Sequence, residues 1–217
     1  MTDPTLRIDF VSDISCPWCA IGLASLEQAT QRLAGAVAVE LHFQPFELNP
    51  HMPPEGQDIG EHLHEKYGST PEQTQANREA IAARGAQVGF TFHMGLRDRI
   101  YNTFDAHRLL HWAGEESGAA QKVLKQALFT AYFTEGQNPG DHALLARLAG
   151  EAGLSVERAR AILAGDEFAA EVRAQERFYQ QQGIHSVPAV IVNQRHLIQG
   201  GQPPEVFEQA LRQIALG

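Results

Sequence analysis

Apolar and polar positions alternate at the start of the chain: Leu6, Ile8 and Phe10 are apolar, Arg7 and Asp9 polar, and Val11 extends the run. This period of two over Leu6–Asp13 predicts a strand. The spacing then changes. Ile21, Leu23, Leu26, Ala29 and Leu33 keep helical spacing as far as Gly35, with Pro17 where a first helical turn tolerates proline. Val37, Val39, Leu41 and Phe43 alternate with Glu40, His42 and Gln44 before Pro45. They predict a second strand with one wetter face, near a sheet edge. Strand, helix and strand in so short a span make a βαβ unit, whose two strands run parallel.

The stretch Asn49-Pro50-His51-Met52-Pro53-Pro54-Glu55-Gly56 is rich in turn formers. From Gln57 to Ala164 the spacing is helical and predicts no strand. One stripe runs through Val123, Leu124, Ala127, Leu128, Ala131 and Tyr132. A second comprises Leu144, Leu145, Leu148, Ala149 and Ala152, with Asp141 as N-cap. Ser155 caps a helix carrying Ala159, Ile162 and Leu163, and Asp166 is expected to cap another through Phe168, Val172, Gln175 and Tyr179. Val187–Val192, containing Pro188, has strand length and pairs with His196–Gln199 as a hairpin. Gly200-Gly201 ends it, and Pro203-Pro204 opens a last helix that buries Phe207, Ala210, Leu211 and Ile214. The fold class is α/β, with β-α-β and α-β-β-α at the chain ends and an all-helical domain between. The expected boundaries are 1–52 and 165–217 for one discontinuous domain and 53–164 for the helical insertion.

Composition narrows the function. The 217 residues are 43% hydrophobic and 20% charged, ordinary for a soluble globular chain. A formal charge of −9 without a Lys/Arg cluster argues against nucleic acid or an anionic membrane as partner. No apolar run approaches transmembrane length, and MTDPTLRIDF lacks the pattern of a secretory signal. The expected compartment is the cytoplasm.

The two cysteines stand three positions apart, in Cys16-Pro17-Trp18-Cys19, at the junction of the first strand and helix. So short a loop stabilises little as a staple, and a zinc site needs about four ligands. A helix start presents free N–H groups and the positive end of the macrodipole, which favours thiolate at Cys16. Cys19, one turn on, lies on the same face and within bridging reach. Cys16 is therefore expected to attack and Cys19, the more buried sulfur, to resolve. Metal binding by His107 and His111, four apart on a helix, is disfavoured because Arg108 and not Glu follows His107. Read alone, Pro188 is an edge-strand proline.

The chain resembles the thioredoxin superfamily, and within it the DsbA-like oxidoreductases of the FrnE type, relatives of 2-hydroxychromene-2-carboxylate isomerase. The matching stretches are Asp9–Cys19, Tyr101–Leu109 and Val187–Pro203. The resemblance implies a thioredoxin fold with a helical insertion between its second strand and the following helix. It also implies a cis Val187–Pro188 peptide against the Cys16 sulfur, whose backbone receives a substrate chain by strand addition. Asn102, Thr103 and His107 become candidate substrate-lining residues, with a helix cap and buried polar groups as the alternative. Many relatives turn the last hairpin with Asn-Gly. Here Gln194 follows Asn193, and a longer turn through Arg195 is expected.

The isomerase relatives carry Ser at the Cys16 position and use glutathione, so two cysteines favour disulfide exchange. The leading expectation is a thiol–disulfide oxidoreductase acting on protein or small-molecule thiols, monomeric or homodimeric, with no cofactor beyond the Cys16–Cys19 disulfide. The alternatives are a glutathione-dependent isomerase or transferase on an aromatic small molecule, with glutathione as co-substrate, and a redox-responsive chaperone or binding module.

Overall fold

A computed structural model describes residues 5–216. Strand β1 (Thr5–Ser12) runs into helix α1 (Pro17–Arg32), which returns the chain to β2 (Ala38–Pro45). β1 and β2 are parallel, pairing Ile8 with Leu41 and Phe10 with Phe43, as a βαβ crossover requires. Strands β5 (Ala189–Val192) and β6 (His196–Gln199) complete a sheet of order β2-β1-β5-β6, with β5 antiparallel to both neighbours. β2 is therefore an edge strand, matching its half-wet pattern. The β5–β6 turn passes through Arg195, with Asn193 and Gln194 both at positive φ.

The alternation in β1 divides its side chains between two cores. Leu6, Ile8 and Phe10 meet α1 and the last helix, α9 (Pro204–Leu216), through Leu23, Leu26, Phe207 and Leu211. Val11 faces the other way, packing with Phe46, Tyr179, Ile184 and Ala189. Tyr179 belongs to α8 (Ala169–Gln181).

Between β2 and α8 lie α2 (Ile59–Tyr67), α3 (Pro71–Gln87), α4 (Phe104–Glu116), α5 (Gly118–Phe129), a π-turn at Thr130–Thr134, α6 (His142–Glu151) and α7 (Val156–Ala164). Asp141 and Ser155 accept bonds from the N–H groups of Leu144 and Arg158, as N-caps should. Four expectations need correction. β3 (Gln57–Asp58) and β4 (Arg99–Ile100) pair within the segment expected to be wholly helical. Two residues are too few for alternation to show.

The helix after Asp166 starts later, at Ala169, and no side chain caps it; Phe168 precedes it in the left-handed region at φ 63°. Buried Arg108 fixes that corner by donating to the carbonyls of Ile162, Gly165 and Glu167. In α5 the inward face is Gln121, Leu124, Lys125, Leu128 and Phe129, whereas Val123 is 44% exposed. Finally, the stripe splits at the π-turn: Phe129, Tyr132 and Phe133 join the cluster of β1 and α1, whereas Ala131 packs with α4, α6 and α7.

Candidate active site

α1 starts where β1 ends. Cys16 is its N-cap and Pro17 its first residue, so the proline's missing N–H removes no helical bond. The Cys16 N–H donates to the Asp13 carbonyl at 3.3 Å and the Cys19 N–H to the Cys16 carbonyl at 3.1 Å. Both cysteines are free thiols and both are buried, Cys16 4% and Cys19 0% exposed. Burial pushes the Cys19 thiol well above its usual value, and the neighbouring Cys16 adds to this.

Across the site the Val187–Pro188 peptide is cis. The Cys16 thiol lies 3.7 Å from the Val187 carbonyl, which accepts from it. Two glycines permit this approach. A Cβ on Gly22 would stand 3.0 Å from Pro188 Cγ, and one on Gly201 would stand 2.9 Å from the Trp18 carbonyl oxygen. The Gly200 N–H donates to the Pro188 carbonyl at 2.8 Å, closing the open end of the β5–β6 hairpin.

Beneath the cysteine turn sits Asp13, 1% exposed. Its carboxylate accepts from the Thr103 hydroxyl at 2.7 Å, the Leu48 N–H at 2.7 Å and the Ser15 hydroxyl at 2.8 Å. His107 Nε2 lies 3.5 Å away, an ion-pair separation. Burial alone would raise the Asp13 pKa; His107 and the Leu48 and Thr103 donors outweigh it and bring it down to about 2.

Thr103 and His107 are thus buried supports of the cysteine turn and face no substrate cleft. Asn102 is a cap. Its Oδ1 accepts from the Phe104 N–H at 2.9 Å and its Nδ2 donates to the Met52 carbonyl at 3.2 Å. The one sequence signal for Asp13 was its place three residues before Cys16, and no role was read from it.

A cleft of about 280 Å³ opens beside the cysteine turn. Ser15, Pro17 and Trp18 form one wall, and Ile59, Leu63, Ile81 and Met94 the facing apolar wall. Trp18, 42% exposed, stands at its edge. The charged and titratable lining residues are His62, Tyr67, Arg78 and Arg97, with no carboxylate among them, in a chain of net charge −9. Arg97 is 8% exposed and stacks 4.8 Å from the Tyr132 ring centre and 5.1 Å from that of Phe133. Its Nε has no hydrogen-bond partner among the described residues.

The site is thus a cysteine pair heading α1, faced by a cis-proline on a four-stranded sheet. Residues 7–212 match the DSBA-like thioredoxin domain, and the chain belongs to that family. It is therefore a DsbA-like protein of the general thiol–disulfide oxidoreductase type.

A probable DsbA oxidoreductase from Streptomyces coelicolor is 37% identical, with TM-score 0.86, covering 98% of this chain and 90% of that one. The uncharacterized protein YwbO of Bacillus subtilis (strain 168) is 27% identical over 208 residues, 95% of this chain and 96% of its own. The cytosolic disulfide reductase DsbM from Pseudomonas aeruginosa, solved with GSH, shares the fold at 19% identity and TM-score 0.65, over 97% of this chain and 100% of its own. No helix among the described residues is long and apolar enough to cross a membrane.

Proposed function

We propose that the protein is a thiol–disulfide oxidoreductase in which Cys16 attacks and Cys19 resolves. The observation that carries this reading is the Cys16 sulfur at the head of α1, 3.7 Å from the carbonyl that precedes Pro188. The Cys16 thiolate attacks a substrate disulfide, forming a mixed disulfide and releasing one substrate thiolate. The Cys19 thiolate then attacks the Cys16 sulfur, closing the Cys16–Cys19 bond and releasing the second substrate thiolate. Two electrons pass to the substrate, and the reverse sequence oxidises it. Pro17 and Trp18 shape the turn, while the Val187 backbone beside Pro188 takes the substrate chain as an added strand.

In this reading the protein works in the cytoplasm, as a monomer or homodimer, on thiol or disulfide groups of proteins or small molecules. It needs no cofactor beyond its own disulfide and takes neither nucleic acid nor membrane as partner. A glutathione-poised cytosol keeps most dithiols reduced, so reduction or isomerisation is the expected direction. Insulin reduction tests the assignment. Cys16→Ser should abolish it, and Cys19→Ser should leave mixed disulfides on Cys16. Iodoacetamide should label Cys16 before Cys19 at pH 6–7; the opposite order reverses the two roles.

The cleft favours a second reading, in which a small acidic thiol such as glutathione is co-substrate, for exchange or for isomerisation of an aromatic molecule. Its lining offers cations, apolar walls and no competing carboxylate. Turnover that requires glutathione and survives Cys19→Ser would favour isomerase or transferase chemistry over disulfide exchange.

A further inference from the structure

His62, early in α2, is 8% exposed and lines the cleft that Ser15, Pro17 and Trp18 bound on the cysteine side. Its Nδ1 stands 2.8 Å from Gln57 Oε1, and Gln57 Nε2 donates to the Glu65 carboxylate at 2.7 Å. Gln57 lies in β3, where pairing with Ile100 of β4 holds its backbone.

These contacts place a hydrogen. A carboxylate only accepts, so Gln57 turns its amide nitrogen to Glu65 and its oxygen to His62. The amide oxygen also only accepts, so Nδ1 of His62 carries the hydrogen. In the neutral ring Nε2 is then the basic nitrogen, and it is the one left for a molecule in the cleft. The charged groups around the ring are Glu65 and Lys66 on α2 and Arg97 ahead of β4, while Arg78 on α3 and Tyr67 share the cleft. Burial, Lys66 and Arg97 hold the His62 pKa below its ordinary 6.5 against the pull of Glu65, so the ring is neutral at pH 7.

We infer that His62 is a catalytic base whose Nε2 takes the proton of a small thiol bound in the cleft as that thiol attacks the Cys16–Cys19 disulfide. The inference rests on the oxidoreductase reading above and on the cleft as the seat of an acidic co-substrate thiol. In the step, the thiol proton passes to Nε2, the thiol sulfur bonds to the Cys16 sulfur, and the Cys16–Cys19 bond breaks. Cys19 leaves with the electron pair and takes a proton from water, since burial disfavours its thiolate. A second thiol gives its proton to Nε2 and attacks the first thiol's sulfur, releasing Cys16 as thiolate and a small-molecule disulfide. His62 returns each proton to solvent. Two thiols are oxidised and one protein disulfide is reduced.

At pH 7 a thiol of pKa about 8.5 is only about 3% thiolate, so a base gains at most about thirtyfold. Reduction of the oxidised full chain by glutathione can be followed by acid quenching and alkylation. His62→Gln should slow it about tenfold at pH 7 and match wild type at about pH 9.5, where glutathione supplies its own thiolate. Tris(2-carboxyethyl)phosphine, which gives up no proton as it attacks, should reduce variant and wild type at equal rates. No slowing at pH 7, the same slowing at both pH values, or equal slowing with the phosphine overturns the base role.

A second measurement needs no variant. In histidine ring-nitrogen NMR of the wild-type protein at pH 7, His62 should be neutral with its hydrogen on Nδ1. A hydrogen on Nε2, or an imidazolium, overturns the proposal. Reduction of wild type by the phosphine but not by glutathione overturns the co-substrate reading and the base with it. Reduction by neither overturns the oxidoreductase reading itself.

Discussion

The chain ends and the middle segment contribute opposite things to the same site. The ends supply β1, α1 and the β5–β6 hairpin, which hold Cys16, Cys19, Val187 and Pro188 with mostly apolar packing and backbone bonds. The middle supplies buried polarity: Arg97, Thr103, His107 and Lys125 are each 8% exposed or less. One region places the sulfurs; the other sets the charge they meet. In such a division, changes in the ends should disturb geometry and stability, whereas changes in the middle should alter pH dependence and substrate choice.

Asp13 is where the two regions join, and removing it should have the largest effect. Asp13→Ala strands the Thr103 hydroxyl, the Leu48 N–H and His107 in the interior. The expected loss is about 3–5 kcal/mol, read from denaturant melts. A loss below about 1 kcal/mol would mean that the junction is not held there.

The same carboxylate predicts an acid transition. Its folded pKa of about 2 lies below the ordinary 3.8, so its contribution is fully present above pH 4. It amounts to about 2 kcal/mol and is lost as pH falls from near 4 to near 2. Asp13→Asn should flatten that part of the stability profile, and a profile as steep as wild type would assign the transition to other groups.

In the middle segment, Arg97→Met should leave stability nearly unchanged and alter selectivity. For a dianionic small disulfide KM should rise about tenfold, with little change for a neutral or cationic one of the same size. An equal rise for all three would make Arg97 a packing residue. In the ends, Gly201→Ala puts a methyl 2.9 Å from the Trp18 carbonyl oxygen, backbone against backbone. The hairpin exit must shift, costing about 1–2 kcal/mol and slowing turnover for substrates of every charge. The smallest effect should come from Trp18→His at the cleft edge. It adds a potential positive charge beside Cys16, and the reduction potential should rise by tens of millivolts, about a tenfold change in equilibrium per 30 mV. A fall, or no change, would remove Trp18 from the control of potential.

Much of the ends was readable in order. The period of two over Leu6–Val11, the helical spacing after Cys16 and the apolar run from Val187 each found its element, and β1 and β2 run parallel as the βαβ pattern required. The cysteine pair heads α1, and Val187 and Pro188 stand across from Cys16. In the middle, helix positions were legible but their inward faces less so. Lys125 lies beside Leu124 and Leu128 on the α5 face covered by the rest of the protein, while apolar Val123 points outward. Of the two roles open to Asn102, Thr103 and His107, the structure shows the buried polar one: Thr103 and His107 support Asp13, and Asn102 accepts from the first N–H of α4.

The physical reason is range. The sequence by itself determined features whose cause lies within one or two turns: the alternation of β1, the caps at Asp141 and Ser155, the proline at the start of α1, and the cysteine spacing. Tertiary structure alone decided what depends on residues far apart in the chain. It set Asp13 against Thr103 ninety positions away, the Cys16 sulfur against the Val187 carbonyl, and Arg97 into the cleft beside Trp18. It also sealed the Lys125 charge in the interior, because burial and the electrostatics it creates arise when separate elements close over a group, and no local pattern encodes that closure.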